Sequence, residues 1–272
     1  HPGGQMKFNS LVGTFGMAVA MSATSAMSAD WSTSNFEYRR GSSYNDNGST
    51  GGPKFSKDIL QFENASGFGW GRSYYFLSMA KSDSKDAGYS DLYSEGNVYL
   101  SLSKTLKRDF SFGFIKDANL NAGYNFGSKN SAFGSNPKVL TYGLGVELDV
   151  PKFSYFNVDI AAFRDVGTYS GFGGGKLCGR NSTTYQITPY WSAPIRMGNF
   201  RFVFDGYMDI IGAHGSCSQQ VLTQIQLKLD VGNFWGKPDS VYMGIEYQYW
   251  KNKFGNSANT ERVPQFVINW TL

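Results

Sequence analysis

The chain is predicted to be all-β, a transmembrane antiparallel β-barrel of about twelve strands with short periplasmic turns and longer extracellular loops. Three observations predict it. An export signal stands near the N-terminus, strand-length alternation of apolar and polar residues recurs down the chain, and no apolar run is long enough for a helix to cross a bilayer.

Residues 1–5 (HPGGQ) read as a tag remnant, because Met6 restarts the chain. The segment 6–29, MKFNSLVGTFGMAVAMSATSAMSA, has one cation (Lys7), then an uncharged and largely apolar run from Leu11 to Met21, then small residues up to Ala29. That is the layout of a secretory signal peptide, with cleavage expected between 26 and 29. A buried N-terminal helix is the alternative. The barrel is expected to occupy 30–272.

The chain is 17% charged and 17% aromatic, and its 17 Tyr and 22 Phe point to strands rather than helices. A net charge of +4, less Lys7 after processing, is too small and too evenly spread for a nucleic-acid partner. An exported chain without a spanning helix is either soluble outside the cytoplasm or a closed barrel in the Gram-negative outer membrane.

Residues 140–150, LTYGLGVELDV, decide between them. Leu140, Tyr142, Leu144, Val146, Leu148 and Val150 share one face, and Thr141, Gly143, Gly145, Glu147 and Asp149 share the other. About eleven residues is what a tilted strand needs to cross hydrocarbon, against about 5–6 in soluble proteins. The same pattern recurs around Leu120–Phe126, Phe200–Ile210 and Val241–Tyr249. The chain ends on an alternating Phe266, Ile268, Trp270 and Leu272, the kind of apolar last strand that barrel assembly reads, although a terminal Phe is more usual than Leu. Predicted strands are 32–41, 56–65, 70–80, 93–103, 115–127, 138–150, 153–165, 183–194, 199–211, 219–231, 240–251 and 262–272. Connections then alternate, the long ones being 41–55, 81–92, 128–137, 166–182, 212–218 and 252–261. The remaining ones are mostly tight (151–152, 195–198), with 104–114 and 232–239 longer than the pattern favours.

Cys178 and Cys217 are the two cysteines, and both fall in predicted extracellular loops on one side of the membrane. Export favours a disulfide between them, with two free thiols as the alternative. Catalysis is not expected. The histidines are His1 and His214, no G-x-S-x-G elbow is present, and Ser216 beside His214 in a glycine-rich loop is poor triad geometry. No metal-ligand spacing appears; Asp83, Asp86 and Asp91 read as a solvated loop sooner than as a calcium site. The glycines of 171–175 lack P-loop order. No cofactor is implied.

In a barrel, function lies on the inward polar face. Alternation assigns Arg39, Glu63, Glu95, Asn97, Asp117, Asn121, Glu147, Asp159, Tyr190, Arg201, Asp205, Asp209, Lys228 and Glu246 to it, with inward tyrosines at 99, 155, 190, 207 and 242. Interspersed acids and bases predict little charge selectivity, and the mixture with tyrosines suits a neutral solute bearing hydroxyls and a flat ring. Plain lumen filling by mutually paired charges is the competing reading for each residue.

The segments WSTSNFEYRRGSSY, FSKDILQFENASGFGWGRSYYF, SEGNVYLSLS, LTYGLGVELDVPKFSYFNVDI, YQITPYWSAPI, GNFRFVFDGYMDIIG and TERVPQFVINWTL, in that order, resemble the Tsx-type nucleoside-specific channel-forming outer-membrane proteins. The resemblance runs through the whole chain after the signal. It implies a monomeric twelve-stranded barrel with a narrow pore, in which aromatic and ionisable residues hold nucleosides weakly. Its most family-like stretches contain Glu63, Glu95, Arg201 and Asp205. The expected partners are therefore nucleosides or similar small polar aromatic solutes and outer-membrane lipid, and the expected function is passive, selective diffusion. The alternatives are a less selective small-solute porin, a closed barrel acting as an adhesion or receptor surface, and an outer-membrane hydrolase.

Overall fold

The computed structural model describes residues 28–45, 54–86, 90–129, 136–167, 178 and 182–272. The expected tag remnant, most of the signal segment, the glycine run 171–175 and the tips of four predicted long loops lie outside the described residues.

Twelve strands form one closed antiparallel barrel, each paired with its chain neighbours, and β1 with β12. They are β1 (Trp31–Tyr44), β2 (Phe55–Phe68), β3 (Gly71–Ser82), β4 (Ser90–Ser101), β5 (Ile115–Lys129), β6 (Lys138–Leu148), β7 (Tyr155–Asp165), β8 (Thr183–Met197), β9 (Phe200–Ile211), β10 (Gln220–Asp230), β11 (Val241–Lys251) and β12 (Glu261–Thr271). Closure leaves no unpaired edge, the condition for strands to lie in hydrocarbon. No helix among the described residues is long and apolar enough to cross a membrane.

The two faces separate as the alternation predicts. Leu140, Tyr142 and Leu144 are exposed on the outside, whereas Val139 and Thr141 on the alternate face are buried. On β12, Phe266 and Trp270 are exposed and Gln265, Val267 and Asn269 are buried. The protein is thus inside out: polar groups fill the interior and apolar side chains cover the wall, which requires the interior groups to hydrogen-bond one another.

Tight turns stand at one end of the barrel. Residues 198–199 connect β8 to β9 with Gly198 at φ 61°, a left-handed value that a turn this short demands and glycine tolerates. At the β2–β3 turn, a Cβ on Gly71 would run into the Tyr99 carbonyl. The β4–β5 connection corrects the expected strand 93–103. Pairing stops at Ser101, whose side chain accepts a hydrogen bond from the Lys104 amide and starts a one-turn helix α1 (Leu102–Leu106). The long connections stand at the other end.

Candidate functional site

At mid-height, one wall of the lumen is a packed polar network. The Arg39 guanidinium lies 3.1 Å from Glu246 and 3.3 Å from Glu37, and donates to Gln61 at 2.7 Å. Glu246 also accepts from Gln226 (2.7 Å) and Gln265 (2.6 Å). Lys228 sits 3.1 Å from Asp205 and 3.9 Å from Glu37. Strand alternation places these groups; barrel closure pairs β1 with β12 and sets β11 one strand beyond, within reach of Arg39 for Glu246. Buried ions survive only when paired and hydrogen-bonded, as these are.

In the short-turn half, side chains reach across the barrel. Arg72, on β3, pairs with Glu147 on β6 and donates to the Tyr190 hydroxyl on β8 at 2.7 Å. Its guanidinium lies 4.2 Å from the centre of the Tyr99 ring, and the Tyr99 hydroxyl donates to Asp159 on β7 at 2.9 Å. β3 and β8 stand five strands apart in the ring of twelve, so this bridge spans the lumen.

The long-loop half holds a cavity of 220 Å³. Its lining includes the rings of Phe76, Tyr93 and Tyr207 and the carboxylates Glu95 and Asp209. Glu95, on β4, accepts from the Tyr93 hydroxyl; Asp209, on β9, accepts from Thr188 (2.6 Å) and Gln186 (2.9 Å). The two carboxylates come from walls five strands apart and are held by neutral donors. Nearer the mouth the cavity meets ion pairs, Lys57 with Asp91 at 2.5 Å and Lys253 with Glu261 at 2.8 Å. Burial pushes the Lys253 ammonium below its usual range while Glu261 pulls it back.

Above the cavity, Cys178 and Cys217 form a disulfide, so that pairing is the one adopted. The Ser216 amide donates to the Cys178 carbonyl at 3.0 Å and the Ser218 amide to the Gly255 carbonyl at 3.0 Å, joining three loops at the mouth. His214 is buried here, its ring 5.5 Å from that of Phe163 and its Nδ1 3.1 Å from the Gly212 carbonyl.

The sequence-predicted residues divide among these regions. Arg39, Asp205, Lys228 and Glu246 meet in the network, and Glu63 joins its edge through Gln61 (3.2 Å) and Tyr74 (3.1 Å). Glu95 and Asp209 face the cavity. Tyr190, Glu147 and Asp159 belong to the crossing, and Asn121 is buried next to Asp159. Asn97 lies over Gly123. Two residues stand apart at the short-turn rim. Asp117 accepts from the Ser103 amide (3.2 Å) and hydroxyl (2.7 Å), fastening α1, and Arg201 pairs with Asp239 at 2.8 Å in the β10–β11 turn. Within the lumen the bases are drawn into ion pairs, while Glu63, Glu95, Asp159 and Asp209 accept hydrogen bonds from neutral donors. Glu37, Gln61, Arg72, Tyr74 and Tyr93 were missed. Glu37 and Tyr93 share a face with Arg39 and Glu95, and extending the alternation by one step finds them. On β3 aromatics occupy both faces (Tyr74, Tyr75, Phe76), which hides the inward set.

The model of the family described as nucleoside-specific channel-forming protein, Tsx, matches residues 31–268, all twelve strands but the last few residues of β12. The chain belongs to that family. Its members are channel-forming outer-membrane proteins of Gram-negative bacteria. No curated protein matches the chain. Among solved structures, a NanC porin is similar over 87% of this chain and 100% of its own, with 11% identity and a TM-score of 0.53, which is a likeness of fold. A KdgM porin in complex with disordered oligogalacturonate covers 87% of this chain and 98% of its own at 9% identity, with a TM-score of 0.44. Among the described residues, no cluster of three or more His, Cys, Asp or Glu could hold a metal ion.

Proposed function

We propose that this protein is a Gram-negative outer-membrane channel for passive, selective diffusion of nucleosides or similar small polar aromatic solutes. In this reading residues 6–29 are removed on export, 30–272 form a monomeric barrel, and the long-loop end faces outside. The observation that carries it is the 220 Å³ cavity, where rings and hydroxyl-binding carboxylates converge. A base stacks on an aromatic face for about 1–3 kcal/mol. Glu95 and Asp209 are hydrogen-bond acceptors suited to a sugar diol, and Tyr93 and Tyr207 supply flat faces. On each carboxylate the protein donors engage one oxygen, Oε1 of Glu95 and Oδ1 of Asp209, which leaves the other oxygen to a solute hydroxyl. So few contacts make a weak site, and weak binding is what permits release. A closed barrel with its working surface in the loops is the second reading, favoured by the Arg72–Tyr190 bridge.

The test is single-channel current across a planar bilayer with adenosine titrated in. The proposal expects small openings whose current falls saturably with adenosine and little with equal glucose. Current indifferent to adenosine removes the nucleoside specificity, and a silent membrane with folded protein favours the closed barrel.

A further inference from the structure

The outward face of the barrel is charged at one end. Lys81 is the penultimate residue of β3, Lys138 opens β6, Arg164 is penultimate in β7, Lys251 closes β11 and Arg262 is second in β12. All five stand at the long-loop ends of their strands and all are exposed, while buried neighbours such as Ser82, Val139, Phe163 and Glu261 point inward. Arg40 adds a sixth cation on β1, bonded to Asp58 at 2.7 and 2.8 Å. Asp58 is the one carboxylate on outward strand positions at this end among the described residues.

The opposite end differs. Its outward strand positions present Met197, Phe200 and Trp270, and its outward Lys116 is paired with Asp149 at 3.3 Å. Its exposed Lys104, Lys107, Arg108, Lys152 and Lys237 stand in the connections beyond the strands. Lipid-facing cations concentrated at one rim are costly unless the adjoining headgroups carry the complementary charge.

A groove of 240 Å³ on the outer wall between β1, β2 and β3 shows the same polarity in miniature. Asp58 and Lys81 stand at its upper edge, Tyr38 beside them, and Leu60 and Met79 below. In register, Asp58 pairs with Lys81 and Leu60 with Met79, so the step from charged to apolar takes one outward row. That is the profile of a headgroup–acyl boundary: a phosphate meets the cations and a chain lies along the apolar row.

We infer that the long-loop rim is a binding surface for phosphorylated lipid headgroups of the leaflet that surrounds it. The inference rests on the outer-membrane reading for its biological side; the charge asymmetry of the outward strand positions stands by itself. Arginine and lysine serve together here, Arg for bidentate phosphate contact and Lys as a mobile point charge.

The test titrates the full chain, folded in neutral detergent, with lipid A bearing both phosphates and with the same lipid dephosphorylated, reading the rise in unfolding temperature. The variants are the quintuple K81Q/K138Q/R164Q/K251Q/R262Q and the double K138Q/R164Q, with the circular-dichroism spectrum and the lipid-free unfolding temperature of each measured as a folding control. The expected result is a preference for the phosphorylated lipid that weakens about fivefold for each charge removed and falls with salt. Equal binding of both lipids, or a double variant indistinguishable from the parent, overturns the inference. Conductance indifferent to adenosine in the parent would remove the proposed specificity and leave the lipid titration as decisive as before.

Discussion

In the short-turn half of the lumen a guanidinium reaches across the barrel to a tyrosine hydroxyl 2.7 Å away; in the long-loop half, carboxylates on distant walls leave 220 Å³ between them. Both halves use the same inventory of tyrosine, carboxylate and long cation. The difference lies in where each cation goes. Arg72 spans the lumen and fills it, whereas Arg39 folds back along its own wall to Glu37 and Glu246 and leaves space above. A narrow barrel thus has a constriction where its cation crosses and a site where its cation stays aside.

The largest effect should come from breaking the wall. Glu246→Ala removes the partner of Arg39 and the acceptor of Gln226 and Gln265, and should cost about 3–5 kcal/mol in denaturant unfolding, because a buried charge loses its pair. Removing the disulfide with Cys178→Ser and Cys217→Ser should cost about 2–4 kcal/mol of the same quantity and loosen the mouth above the cavity. A loss below about 1 kcal/mol would mean that the three joined loops hold without it.

Arg72→Ala sharpens the comparison from the other side. It should raise single-channel conductance while leaving adenosine block in place, since the crossing goes and the cavity remains. An unchanged conductance would move the constriction elsewhere. Because Glu63, Glu95, Asp159 and Asp209 are held by neutral donors, the reversal potential in a potassium chloride gradient should favour potassium. An anion preference would contradict that reading of the lumen. Arg40→Ala, next to Arg39 in sequence but on the outer face, should change stability by less than about 1 kcal/mol, as exposed pairs do.

The strands were legible because each residue in a barrel wall meets one of two environments, and period two writes that choice into the chain. All twelve predicted strands correspond to β1–β12, most within a few residues, and the exception at Ser101 arises from a capping hydrogen bond that periodicity does not encode. The site was legible by face and not by neighbour. Alternation places Arg39, Glu95, Asp117 and Arg201 alike on the inside, and it is silent on which groups closure brings together. Asp117 therefore read like Glu95, although it fastens α1 at the rim, and Arg201 read like Arg39, although it pairs with a turn residue. Arg72 was hidden because β3 is aromatic on both faces.

The measurement that bears most directly on the central claim is the adenosine concentration that halves single-channel current, compared between Glu95→Gln with Asp209→Asn and Arg201→Gln. The cavity site predicts at least about tenfold weaker block in the double variant, each lost carboxyl acceptor costing about 1 kcal/mol, and an unchanged value in the rim variant. Equal block in the parent, the double variant and the rim variant would contradict a solute site in the long-loop half of the lumen.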